Sequence, residues 1–228
     1  MIEKRTDLAL ERRESFPEDD VEIKGVSLEK EQVLIDEKSN FKLNISTVKI
    51  LNDAGAEKMG KPKGSYITLE TGDICRLSDE CLGKVEDEIA GSIKELAGIL
   101  SEQRVMIAGL GNRHVTADSL GPLVVDSLNI TGHLASEYGP EFLRKIGMGE
   151  VYGVAPGVMA QTGMETAEIV QGVVSETKPD VVVAIDALAA RSVRRLNRTI
   201  QITDTGIHPG SGVGNHRNGL TEDNLQVK

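Results

Sequence analysis

Two apolar runs of strand length, each ending in a carboxylate, restrict this chain more than anything else in it. Val105-Met106-Ile107-Ala108 leads into Gly109-Leu110-Gly111-Asn112, and a polar loop then reaches Asp118, just where Ser119 to Leu128 can open a helix. Val181-Val182-Val183-Ala184-Ile185 runs straight into Asp186. Runs this short and uniformly apolar suit strands buried on both faces, as in a parallel sheet between helix layers. In such open sheets, loops at the carboxyl ends of strands converge on helix N-termini and exposed backbone N–H groups, and sites form there. The chain is therefore expected to be α/β, a twisted, mostly parallel sheet flanked by helices, with Asp118 and Asp186 on one edge.

The remaining sequence fits around these runs. Ser78 followed by Asp79 and Glu80 reads as a helix start, and Leu82, Val85, Ile89, Ile93, Leu96 and Leu100 recur at helical spacing behind it. A second helical face runs from Thr162 to Thr177, and Pro179 stops it. Alternation in Val21-Glu22-Ile23-Lys24 and Phe41 to Ile45, with Ser65 to Glu70, predicts an additional N-terminal β-rich part within about 20–70. Glu29-Lys30-Glu31 reads as turn and solvent-facing sequence, Arg5 to Glu14 as a surface arm in preference to a helix weakly anchored by Leu8 and Leu10, and Gly132 to Gly139 as loop. Thr199 to Ile202 supplies one more strand. These pieces amount to one domain over residues 1–228 with a β-rich subdomain.

Composition excludes several classes. Trp is absent and aromatics are 3%, so the core rests on Val, Ile, Leu and Ala. No run approaches bilayer length and the charged N-terminus is no signal core, so no membrane partner is expected and a cytoplasmic location is. A formal charge of -10 opposes direct nucleic-acid binding, because phosphate contacts want a basic face. Cys75 and Cys81 form neither a zinc motif nor a disulfide framework and read as reduced thiols.

Two carboxylates brought within hydrogen-bond reach cannot both ionise cheaply. They share a proton, so that one takes a proton from water while the other gives one to a peptide. The plainer reading has Asp118 capping the next helix and Asp186 accepting backbone N–H bonds. Gly109-x-Gly111-Asn112 invites a dinucleotide reading, but His114 stands where the third glycine belongs. His208 and His216 with the aspartates leave a metal site as an alternative, although no compact His-x-x-x-His spacing exists and neither metal nor other cofactor is expected. The loop Asp204 to Arg217, rich in Gly and without apolar period, has no core of its own and is expected to pack over a site.

Taken together, Arg5-Thr6-Asp7-Leu8-Ala9, Gly109 to Asn112 with Asp118 to Pro122, Ala155-Pro156-Gly157-Val158-Met159, Ala184 to Ala189 and Asp204 to Gly212 resemble the germination proteases of endospore-forming bacteria. The resemblance implies a fold similar to the hydrogenase maturation proteases, a homotetramer, and a zymogen that removes a short N-terminal segment. It implies an endopeptidase of the spore core that starts the breakdown of small acid-soluble spore proteins at germination, with Asp118 and Asp186 as an atypical aspartic pair. Met1 stands four residues before Arg5, so little of the usual pro-segment is expected in this chain, and the resemblance implies a family that continues well beyond Lys228. The family's cleavage pattern, acidic, hydrophobic, two residues, acidic, calls for a cation near the pair. Arg191, Arg194 or Arg195 is expected to supply it, and Asn112, His208, Gly210 and Ser211 are expected to contact substrate. A maturation-type peptidase reading a metal in its substrate, and a nucleotide or effector module without hydrolysis, remain the alternatives.

Overall fold

The structure is a computed structural model that describes residues 6–16, 23–72, 74, 77–98, 102–208 and 218–228. In chain order the elements are α1 (Ala9–Glu14), β1 (Val26–Asp36), β2 (Phe41–Ile50), α2 (Asp53–Met59), β3 (Gly64–Glu70), α3 (Asp79–Ala97), β4 (Arg104–Gly109), α4 (Leu120–Ser127), α5 (Gly132–Tyr138), α6 (Pro140–Lys145), β5 (Glu150–Val154), α7 (Met159–Thr162), α8 (Thr166–Thr177), β6 (Val181–Ile185), β7 (Thr199–Thr203) and α9 (Glu222–Leu225). A 3-10 turn, Thr116–Asp118, precedes α4. The chain divides into two compact units, Met1–Gly98 with Leu188–Thr205, and Ile99–Ala187 with Gly206–Lys228.

The first unit is built on an antiparallel sheet in the order β1-β2-β3-β7. The expected β-rich stretch lies in it, and β7 completes it by pairing Thr203 to Thr199 against Tyr66 to Glu70. The β1–β2 turn is fixed by Asp36, whose carboxylate accepts from the backbone N–H groups of Lys38 and Ser39 and from the Ser39 hydroxyl. Strand alternation sends Leu43, Ile45, Ile67 and Leu69 to one face, where Cys81 and Val85 of α3 join them in a core cluster. Val48, Ile50 and Tyr66 form another cluster with Ala9, Ile23 and Met59. The Ser78 cap is present, its hydroxyl accepting from the Cys81 N–H.

Three sequence expectations in this unit change. Glu29, Lys30 and Glu31 are exposed, as read, but lie mid-strand in β1, paired with Thr47, Ser46 and Ile45. Ile23 and Lys24 are not in a strand, and Val21 and Glu22 fall outside the described residues. The surface arm is instead helix α1, with Leu8, Ala9, Leu10 and Glu11 buried. Its anchors come from far along the chain: Gln201 Oε1 accepts from the Ala9 N–H, Asp7 Oδ2 accepts from the Ala189 N–H, and Ala189 O accepts from the Asp7 N–H.

The second unit contains the predicted parallel sheet, three strands in the order β5-β4-β6. Val105 to Gly109 pair with Val181 to Ile185, and Arg104 to Ala108 with Glu150 to Val154. Met106, Ala108 and Leu110 pack against Val170 and Val174 of α8 and against Leu220 and Leu225. The Thr162 to Thr177 helical face is divided: Gly163 at φ 73 ends α7, and α8 starts at Thr166. Gly132 to Gly139 is helix α5 rather than loop. Gly132 opens it because a Cβ there would stand 2.4 Å from the Tyr152 ring, so the residue that resembled a breaker is a packing requirement.

Candidate functional site

Both candidate carboxylates lie in the second unit, and the sheet register says where. Gly109 pairs with Ile185, and the Leu110 N–H donates to Ile185 O over 2.8 Å, so the two strands end level with one another. Asp186 is the residue directly after β6, and the loop that leads to Asp118 leaves β4 from the same edge. Gly121, early in α4, is wedged against both strand ends: a Cβ there would stand 2.4 Å from Leu110 N and 2.5 Å from Ile185 O. Parallel neighbouring strands therefore deliver both aspartates to the carboxyl edge of one sheet.

The Asp118 loop is tightly folded. Gly111 takes φ +113, and a Cβ on it would meet Asp118 O at 2.1 Å, so only glycine lets the loop close. Asp118 Oδ2 accepts from the Asn112 N–H over 2.9 Å. Asp118 therefore does not cap α4, whose N-cap Ser119 makes no side-chain cap bond; the carboxylate faces the loop instead. Half-buried Asp186 accepts at Oδ1 from its neighbour's N–H, Ala187, over 2.9 Å.

Asn112 joins two loops. Its Oδ1 accepts from the His114 N–H over 3.0 Å and from Gln161 Nε2 over 3.2 Å, and Gln161 Oε1 accepts from the Val158 N–H. The loops after β4 and β5 are thereby tied beside a pocket of about 230 Å³ lined by Gly111, Arg113, His114, Pro122, Ala155, Pro156, Gly157 and Gln161. Arg113 is held by both Asp126 oxygens, over 3.0 and 3.2 Å. Gln161 escaped the sequence reading, although Ala155 to Met159 pointed to the neighbourhood. Nothing about a lone glutamine marks it until its partner is known.

His208 is also in the second unit, exposed, with its ring against Gly219. Ile207 and Leu220 exchange backbone hydrogen bonds in an isolated antiparallel bridge. Gly210, Ser211 and His216 lie outside the described residues. Among the described residues, no group of three or more His, Cys, Asp or Glu stands together to hold a metal ion. No helix among them is long and apolar enough to cross a membrane.

The three arginines belong to the first unit. Arg195 bridges Glu14 over 2.8 Å, Glu70 over 2.9 Å and Glu11 over 3.5 Å, and its hydrogen bonds to Glu14 and Glu70 raise its already high pKa. Glu11 is 0% exposed and accepts from the Thr6 hydroxyl and from the Arg191 and Ser192 N–H groups. Burial pushes its carboxyl up, but those donors and the Arg195 charge outweigh burial and hold it below 4.5. Arg191 also donates to Glu11 O over 3.3 Å. Arg194 is exposed, and its side chain has no partner among the described residues.

The comparisons agree on one family. A germination protease described from Caldanaerobacter subterraneus subsp. tengcongensis is 46% identical over 224 residues, covering 98% of this chain and 65% of that relative. Germination proteases of Bacillus cereus and Bacillus mycoides are each 43% identical over 226 residues, covering 98% of this chain and 60% of theirs. The chain thus spans 60 to 65% of the length of these relatives. The family model Peptidase_A25, described as germination protease, matches residues 9–228, and the chain belongs to that family.

Proposed function

We propose that this chain carries the peptide-hydrolysing centre of a spore germination protease, with Asp118 and Asp186 working as an acid–base pair. The observation that carries the reading is the level ending of β4 and β6, which puts both carboxylates on one sheet edge in a chain of this family. One aspartate, ionised, takes a proton from the attacking water, and the other, protonated, delivers one to the leaving amine.

The substrates in this reading are small acid-soluble spore proteins in the spore core, and the working assembly is a homotetramer formed from a zymogen. The fold likeness to hydrogenase maturation proteases belongs to the same proposal. So does the assignment of Asn112, His208, Gly210 and Ser211 to substrate contact. Of Arg191, Arg194 and Arg195, Arg194 is the one we assign to an acidic group of a polypeptide, because its guanidinium is not engaged among the described residues.

The test is digestion of a small acid-soluble spore protein by the wild type and by Asp118→Asn and Asp186→Asn, each with and without a chelator. Loss in both variants and indifference to chelator support the pair. Loss on chelation alone replaces it with metal-dependent hydrolysis.

A further inference from the structure

We propose that the first unit carries a site for an oxyanion, a carboxylate or a phosphate, in the cavity of about 240 Å³ lined by Phe41, Lys42, Asn44, Glu70, Gly72, Arg194, Arg198 and Thr199. It goes beyond the aspartate pair, and it rests on the proposed function only in taking polypeptide as one source of the carboxylate.

The register builds the floor. Asn44 pairs with Glu70 and Glu70 with Thr199, so three polar side chains lie in a row across β2, β3 and β7 on one face of the sheet. The single acid in the row is neutralised, since Glu70 Oε1 accepts from Arg195 Nε over 2.9 Å. Lys42, Arg194 and Arg198 then bring three cations to the wall, all exposed, and none of their side chains has an ion pair or hydrogen bond among the described residues. In a chain of net charge -10, such a cluster of cations is a local reversal of sign that gathers anions.

The uncharged groups have the matching character. Thr199, which lines the cavity, has a buried Oγ1 without a hydrogen-bond partner among the described residues. Asn44 Oδ1 is taken by Gln32 Nε2 over 2.7 Å, which leaves the Asn44 amide N–H groups as donors. Gly72, at φ +62, gives the Phe41 ring its place, since Phe41 Cε2 would lie 3.2 Å from a Cβ there. Two guanidinium forks, an ammonium, an amide and a hydroxyl against an aromatic wall make a set of donors that an oxygen-rich anion satisfies. The chain's overall negative charge opposes extending that contact along a nucleic-acid backbone.

The test is equilibrium binding at low ionic strength, which needs no hydrolysis and so fails or succeeds apart from the aspartate pair. Inorganic phosphate is titrated by calorimetry. A fluorescent acetyl-Gly-Glu-Gly peptide and its Gln twin are titrated by anisotropy. Saturable one-to-one binding is expected, weakened about two- to fivefold by Arg194→Ala or Arg198→Ala and about tenfold or more by Arg194→Glu/Arg198→Glu. Lys49→Glu, an exposed charge reversal on β2, leaves it intact. Binding of phosphate alone assigns the site to a free oxyanion, and preference for the Glu peptide over its Gln twin assigns it to a carboxylate on a polypeptide. Absence of saturable binding by both phosphate and the Glu peptide, equal binding of the Gln twin without phosphate binding, or undiminished binding in the double arginine variant overturns the proposal.

Discussion

Asn112 holds Asp118 through its backbone and the neighbouring loop through its side chain: its N–H donates to Asp118 Oδ2 over 2.9 Å while its Oδ1 accepts from Gln161 and His114. Replacing the side chain leaves the first bond possible but frees the loop that aims it. At about 1 kcal/mol for each lost hydrogen bond, Asn112→Ala should lower kcat about 10- to 30-fold. Gln161→Ala, which removes one of the two, should cost about fivefold. Steady-state hydrolysis with thermal unfolding alongside checks this; unchanged kcat in Asn112→Ala removes the loop from the catalytic account.

Gly121 tests the packing beneath the site. An added methyl meets the backbone of Leu110 and of Ile185, and neither is a flexible side-chain end that can step aside. Gly121→Ala should therefore destabilise the protein by about 2–4 kcal/mol, as overpacking against backbone does. Urea unfolding measures it. Gly172→Ala, in α8 with open space around the new Cβ, should be neutral or stabilising and serves as the contrast.

Glu11 makes stability depend on pH. Its folded pKa lies below the ordinary 4.5, so its ionised form contributes stability that is present above about pH 4.5 and is lost as pH falls through the folded value. Glu11→Ala should cost about 3 kcal/mol near neutrality, because Arg195 and the N–H groups of Arg191 and Ser192 lose a buried partner. The gap from wild type should narrow below pH 4.5. A gap that stays constant down to acid conditions would show that the carboxylate's charge plays no part.

That same residue shows where reading the sequence stopped. The parallel strands, α3 and its Ser78 cap were legible because apolar runs, helical spacing and capping are local signals. The edge shared by Asp118 and Asp186 followed from strand polarity alone. Helix α1, anchored by Leu8 and Leu10, stood only as the alternative to a surface arm: its buried Glu11 is satisfied by Arg191 and Ser192, about 180 residues away in sequence, and no window around Arg5 to Glu14 contains that information. Glu29 to Glu31 misled for a related reason, since the charged residues are exposed and only their register with β2 makes them a strand. In Gly132 the signal was present but ambiguous, a glycine chosen for contact with Tyr152 rather than for flexibility.

The central claim, that the aspartates delivered by β4 and β6 act as one unit on a peptide bond, is tested most directly by the rates of Asp118→Asn, Asp186→Asn and the double variant on a small acid-soluble spore protein. Groups that share one chemical step lose it together, so each single replacement should remove about a thousandfold or more and the double should be little worse than either. A double variant that still digests its substrate, or losses that simply multiply, would contradict the account.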